Sequence, residues 1–549
     1  MVQLARSLSK IGQRNFMTLT RRNWMFGAGL SAASALGQVC LSEEKIEAAS
    51  PMARCEKENY FRPQAFGARA DGASADTAAI QAAIDAAYKA GGGTVYLSAG
   101  RYLSGTLFLR SHVSVWLDNG VTLLMSVKDE DFRPDDSAVL RQGEFESDEK
   151  SRALLFGDRI ESVRIYGEGT IEGNRKRRGG PKPLFLRDCS DIVLQDILFR
   201  SAPNYAVSLY RCSRVRIEGT TILNGFADGM DLDCCRQVRI TGCLVESIDD
   251  SLCLKASQPT TAQGVTEQIA ISDCVLRTAS IHFKCGTESC GDFRDITVAN
   301  CTFEGGMGVR HGNPGIALYT VDGGNLESVA ISNIVMRNVA TPFAILLGDR
   351  DAWHLGRGPG KIRGVSISHV IANGARFPSV IAGLPNCFVE DLRLSDITVR
   401  MQPAKEVWDE TRLSIDPLAV VEQPKLYPEP TMFGPLPSSV LYMRHLQNVE
   451  LCHFRYFSGG EGRVSSIFGE DLERLHLELS PLNEETTVSL HNVRDSYVEM
   501  FSLGIHTRPQ LKFSGRSTID VLCQINGNFD RARQIHLESE VASEAITIR

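Results

Sequence analysis

From residue 163 onward, apolar and polar positions alternate in short runs of the form apolar–x–apolar, and the runs recur. They read VRIYGE at Val163, IVLQDI at Ile192, VRIEGT at Val215, VRITGC at Val238 and IAISDC at Ile269. ITVANC at Ile296, VAISNI at Val329, VSISHV at Val365 and LRLSDI at Leu392 follow, with weaker copies at Val449 and Leu475. Starts among the first nine are 23 to 36 residues apart. Alternation with period two predicts strands, and recurrence at this spacing marks a stacked repeat. Strands this short bury a face only against their neighbours. No Leu-x-x-Leu-x-Leu pattern or per-repeat helix suggests a horseshoe, and the unit is too short for a four-stranded propeller blade. The pattern therefore predicts an all-β fold, one right-handed parallel β-helix over residues 58–540 with its variable loops on one side.

Upstream the period changes. Ala79, Ile80, Ala83, Ile84 and Ala87 recur at helical spacing behind Asp76, an expected N-cap, and Gly91–Gly92–Gly93 closes the helix before Thr94–Leu97. A short amphipathic helix at this place predicts a cap over the open end of the strand array, where unpaired edges need cover. Cys243, Cys274 and Cys301 share one repeat position. They are expected as stacked, buried small residues, since free Cys packs as a small hydrophobe.

Composition changes this picture little. The 549 residues are 43% hydrophobic and 23% charged, with a net charge of −7. Those values exclude a disordered or collagen-like chain and speak against a nucleic-acid partner. Length alone suggests three or four domains at about 150 residues each, and the repeat replaces them by one solenoid. Residues 1–45 carry Arg21–Arg22 before a mildly apolar stretch and Ala33–Ser34–Ala35. That layout predicts a twin-arginine-like export signal with a linker, hence a periplasmic or extracellular protein. No other stretch approaches the roughly 20 apolar residues of a membrane span.

Candidate chemistry follows from repeat position. Asp228 lies 13 residues after Val215, Asp249 and Asp250 lie 11 and 12 after Val238, and His282 lies 13 after Ile269, with Lys284 beyond it. Neighbouring coils are about 4.8 Å apart, so these groups are expected to converge on one patch. Crowded carboxylates raise one another's pKa and supply the proton donor that glycosidic cleavage needs. Any one of these Asp residues taken singly reads as a polar turn residue. No Cys-x-x-Cys, His-Glu-x-x-His or EF-hand spacing suggests a metal, and no cofactor is expected.

The segments FGARADGASADTAAIQAAIDAA…GGGTVYLSAGRYLSGTL, GEGTIEGN (167–174) and ADGMDLDCCRQVRITGCLVESIDDSLCLKAS (227–257) resemble glycoside hydrolase family 28, the polygalacturonase family of pectin-degrading enzymes. The resemblance covers about residues 62–400, with YPEPTMFGPLPSSVLYMRH (427–445) similar to some bacterial members. It implies a pectin-lyase-like β-helix with catalytic coils at about 215–320 and hydrolysis of an acidic polysaccharide with inversion. Asp249 is cast as general acid, Asp228 and Asp250 as holders of the attacking water, and His282 as the stand-in for the family's Gly-His-Gly. Phe226 and Ala227 occupy the place of its Asn-Thr, and GIALYTVDGG (315–324), with Tyr319, the place of its Arg-x-Lys. Expected substrate-binding groups are Lys284, Glu288, Arg310, His311, Tyr319, Arg444 and His445. The proline-rich stretch 401–440 is expected to wall off one end of a groove and favour action on chain ends. Two other readings stay open: a Ca²⁺-dependent β-helix lyase, and a non-catalytic carbohydrate-binding β-helix.

Overall fold

The computed structural model describes residues 59–132, 152–257, 264–306, 313–352, 354–403, 419–459, 464–482, 487–502, 510–527 and 535–549. The export signal expected over residues 1–45 lies outside them. From Lys57 to Arg549 the chain forms one unit, a right-handed parallel β-helix. Its register shows what the sequence repeat is. Val163, Ile192, Val215, Val238, Ile269, Ile296, Val329, Val365, Leu392, Val449 and Leu475 pair one onto the next as a single column. None is more than 2% exposed.

Each coil is built from three short strands. Val207–Tyr210, Ser213–Glu218 and Thr221–Gly225 are one such set, and they belong to what we term the first, second and third sheets. The bend from second to third sheet is a single left-handed residue, at Asp196, Gly219, Gly242, Asp273, Asn300 and Asn333 in successive coils. Gly, Asn and Asp reach that conformation at the least steric cost, which explains the polar position recurring after each apolar triplet. Asn333 donates to the Asn300 side-chain oxygen at 3.1 Å, so the bends form a ladder of their own. Later strands, such as Asp292–Glu304, run continuously through the bend.

The helix Thr77–Lys89 buries Ala79, Ile80, Ala83, Ile84 and Ala87. It packs against strands Tyr60–Phe61, Gly93–Leu97, Leu107–Phe108 and Val113–Leu117. Gln81 donates to the Phe108 carbonyl at 3.1 Å and accepts its N–H at 2.8 Å, satisfying an otherwise open strand edge. Asp76 corrects its expected role. It stands at the N-cap position but makes no cap bond; its carboxylate accepts the Arg69 and Ala70 N–H groups at 2.7 and 3.1 Å. It ties the preceding loop instead of the helix.

The thirteen described cysteines are all free thiols. Cys243, Cys274 and Cys301 are each at most 2% exposed, and Cys189, Cys212 and Cys235 lie buried at matching places on adjacent rungs. Residues 419–437 form a strap over the outward face of the first sheet. Its Val420, Phe433 and Leu436 pack on Ala317, Ala344, Val380, Tyr442 and Phe468. Among the described residues, no helix is long and apolar enough to cross a membrane.

Candidate active site

The site lies where each coil returns from the third sheet to the first. Asp228 sits in the turn before strand Met230–Asp233, Asp249 and Asp250 in the turn before Leu252–Ala256, and His282 just before Phe283–Ser289. The Gly229 N–H donates to the Asp250 carbonyl at 2.8 Å, locking the first turn onto the second. A Cβ at Gly229 would lie 2.3 Å from a Val245 methyl and 2.6 Å from the Ser251 carbonyl, so only glycine permits this approach. Hydroxyls of Ser247 and Thr278 donate to the Asp249 carbonyl at 2.8 and 2.5 Å, fixing the backbone between the two acids.

The three acids differ in surroundings. Asp228 is buried, and loss of hydration together with the Asp250 charge pushes it well above the usual carboxylate range. Asp250 is equally buried and accepts from Ser280 Oγ at 2.7 Å, the Ile281 N–H at 3.2 Å and Lys284 Nζ at 2.9 Å. Asp249 is the more open of the three and pairs with the Arg178 guanidinium. Burial works to raise it, but hydrogen bonding and charge from Arg178 outweigh that and hold it below its ordinary value.

Two lysines, Lys284 buried and Lys255 nearly so, run beneath the acids. Burial opposes the charge on Lys284, yet Asp250 holds it firmly protonated, and its Nζ also reaches the Tyr427 hydroxyl of the strap at 3.2 Å. Lys255 bonds Asp231 at 2.5 Å, lies 3.7 Å from Glu288 and sits 4.7 Å over the Tyr205 ring. Burial raises Glu288, but Lys255 and Lys284 overcome it and bring that carboxyl down to about 2.

One atom each of Asp228, Asp250 and Cys253 lie within 4.8 Å of one another, a spacing that would admit a cation or a water. The chemistry favours water. Burial pushes the Cys253 thiol up, and it donates to the Gly286 carbonyl at 3.2 Å; a protonated thiol is a poor ligand. Lys284 already supplies positive charge to Asp250. An open groove of about 620 Å³ lined by Arg214, Arg216 and Arg239 lies on the second sheet, away from these groups.

The remaining expected residues divide. Lys284 and Glu288 stand beside the acids. His282 is buried with its ring stacked on Phe303 at 5.4 Å, and burial pushes its imidazole down to about 4. Tyr319 is fully buried under the strap, its hydroxyl near Lys284 and Tyr427. Arg310 and His311 lie outside the described residues. Arg444 and His445 sit four rungs beyond Lys284, counted through Ala317, Ala344, Val380 and Tyr442. There Arg444 binds Glu422 and Glu470 at 3.0 and 3.2 Å and the Val420 carbonyl at 2.9 Å. His445 lies between Glu422 and Asp471, each at 2.8 Å. Both anchor the strap that carries Tyr427 to Lys284. Arg178 escaped the sequence reading because its run, Arg175–Lys176–Arg177–Arg178, looks like a solvated surface charge cluster and its partner is 71 residues away.

Acids on successive turns of a parallel β-helix, backed by cations, form a cluster suited to general acid–base chemistry. The model of the glycosyl hydrolases family 28 matches residues 137–374, and that of rhamnogalacturonase A/epimerase, pectate lyase-like proteins matches residues 64–114. A probable polygalacturonase of Vitis vinifera is 24% identical over 368 residues, covering 61% of this chain and 73% of its own. A mannuronan C5-epimerase of Azotobacter vinelandii is 56% identical over 63 residues, only 10% of this chain and 3% of that protein. The exopolygalacturonase of Thermotoga maritima superposes with a TM-score of 0.52 at 18% identity, over 63% of this chain and 87% of its own. The chain is a glycoside hydrolase. The match to the family 28 model spans the turns bearing all three acids.

Proposed function

We propose that the protein is exported and hydrolyses glycosidic bonds in an acidic, pectic polysaccharide of galacturonan or rhamnogalacturonan type, with inversion. The observation that carries this reading is the meeting of Asp228, Asp249 and Asp250 on two successive turns, with Lys284 and Arg178 against them. Asp228 and Asp250 hold the attacking water between them, and Asp249, the more open acid, protonates the leaving oxygen. The C–O bond to the leaving sugar breaks as the water oxygen bonds to the anomeric carbon, and the water's proton passes to the Asp228–Asp250 pair. Cations at the site suit a uronate substrate, and the strap suits action at chain ends because it covers the sheet beyond Lys284. Lys284 is held charged by Asp250, which disfavours a lyase reading with this amine as base.

The test is release of reducing ends from a panel of pectic and sulfated polysaccharides by wild type, Asp249→Asn and Asp250→Asn. Each variant should lose about 10²- to 10⁴-fold in rate, and ¹⁸O from labelled water should enter the product. Failure of the wild type on every member, or variants as active as it, would overturn the reading.

A further inference from the structure

The resting arrangement of the site conflicts with the role given to Asp249. A proton donor must carry a proton, yet Asp249 is the acid on which a guanidinium sits. Arg178 belongs to the segment 173–181, between strands Thr170–Glu172 and Lys182–Arg187. That segment is held at both ends. Arg175 pairs with Asp129 at 2.6 Å, the Asn174 amide donates to the Met125 carbonyl at 3.0 Å, and the Gly179 N–H donates to the Pro203 carbonyl at 2.8 Å. Between these ties the Arg178 side chain is 52% exposed. Lys284 and Lys255, by contrast, are buried and nearly buried and are tied to Asp250 and Asp231. Among the described site cations Arg178 is thus the one that a carboxylate arriving from solvent meets first, and guanidinium is suited to bidentate carboxylate binding.

We infer that Arg178 is a substrate-displaced latch: it keeps Asp249 charged before substrate arrives, then transfers to the carboxylate of an incoming uronate and frees Asp249 to act as proton donor. This rests on the hydrolase reading above. The groups facing Asp249 are Arg178 from the 173–181 segment, Asp228 from the preceding turn, its neighbour Asp250, and Ser280 and Lys284 from the next coil. Once Arg178 leaves, two carboxylates and one already engaged lysine remain, so Asp249 takes up a proton from solvent. It passes that proton to the leaving oxygen and re-pairs with Arg178 when product departs. Substrate charge thereby arms the donor, and a neutral sugar of the same shape does not.

The experiment compares wild type, Arg178→Ala and Arg178→Lys on oligogalacturonate and on its methyl ester, reading kcat/KM against pH. In Arg178→Ala, kcat/KM on the acid substrate should fall roughly tenfold to a hundredfold, while that on the ester rises. The alkaline limb should move up by about 1–3 pH units, because removing a cation raises Asp249 and the donor stays protonated to higher pH. Lysine should restore part of the acid preference. Equal losses on both substrates with an unmoved limb would overturn the latch. If wild type cleaves neither substrate, the hydrolase reading falls. The latch is then decided by ¹³C NMR titration of the Asp249 carboxyl, assigned with Asp249→Asn. Trigalacturonate must raise its pKa in wild type and leave it unmoved in Arg178→Ala; no rise in wild type overturns the latch.

Discussion

Asp228, Asp249 and Asp250 are one side chain placed in three environments by a few ångströms of backbone. Asp228 loses its water, Asp250 gains an ammonium and two further donors, and Asp249 meets a guanidinium. Each environment was partly legible in sequence, because an offset within the repeat is a place on the surface. What the offset could not convey was the direction of a side chain. His282 shares the offset of Asp228, yet its ring stacks on Phe303 inside the coil. Its imidazole is pushed down from 6.5 to about 4 by burial. A base whose folded pKa is depressed stabilises the fold above its unfolded pKa, and that stability is lost as pH falls through the folded value. Wild type should therefore lose on the order of 3 kcal/mol between about pH 6.5 and 4 from this residue alone. In His282→Phe, which keeps the stacked ring and removes the titration, the melting temperature should fall less steeply over the same window. Parallel slopes for the two proteins would show that the ring does not titrate as a buried base.

At the scale of elements, the strands were readable because period-two alternation repeated in register, and the eleven starts did become one column. The strap was readable only as a proline-rich interruption. Its seat depends on Ala317 and Ala344 being small on an outward face, a feature that looks featureless in a strand pattern. Its anchor is Arg444, nearly buried between Glu422 and Glu470. Arg444→Met leaves Glu470 without this cation and Glu422 with His445 alone, a change that costs up to about 3–5 kcal/mol in buried pairs. The expected result is faster hydrogen exchange over residues 419–437 and, if the strap confines substrate to chain ends, a shift from a single short product to mixed lengths. Slow exchange together with an unchanged product pattern would mean that apolar packing by Phe433 and Leu436 holds the strap unaided.

Within the unit Lys57–Arg549 the coil contacts are close to one-dimensional: each coil touches the next, and stability is a sum of neighbour terms. Earlier strands run to 20 residues, as in Ser438–Phe457, whereas the last four, Leu511–Ser514, Ile519–Gly527, Ile535–Leu537 and Ile546–Ile548, are 4, 9, 3 and 3 residues long. The C-terminal coils should therefore open first. Hydrogen exchange should show protection rising from residue 549 back toward residue 438, and uniform protection to the last coil would contradict this picture. The site, near residues 228–284, should stay closed through that fraying.

The bend ladder from Asp196 to Asn333 has a consequence for how such a site can change over time. Because every coil is clamped to its neighbour at a fixed residue, positions along the axis are quantised in steps of about 4.8 Å. Gaining or losing a coil shifts everything beyond it by a whole step, too coarse to tune a reacting distance. Fine adjustment is left to the segments that leave the lattice. Among the described residues those include the 173–181 loop that carries Arg178 and the strap that carries Tyr427, so divergence in substrate should be written there first.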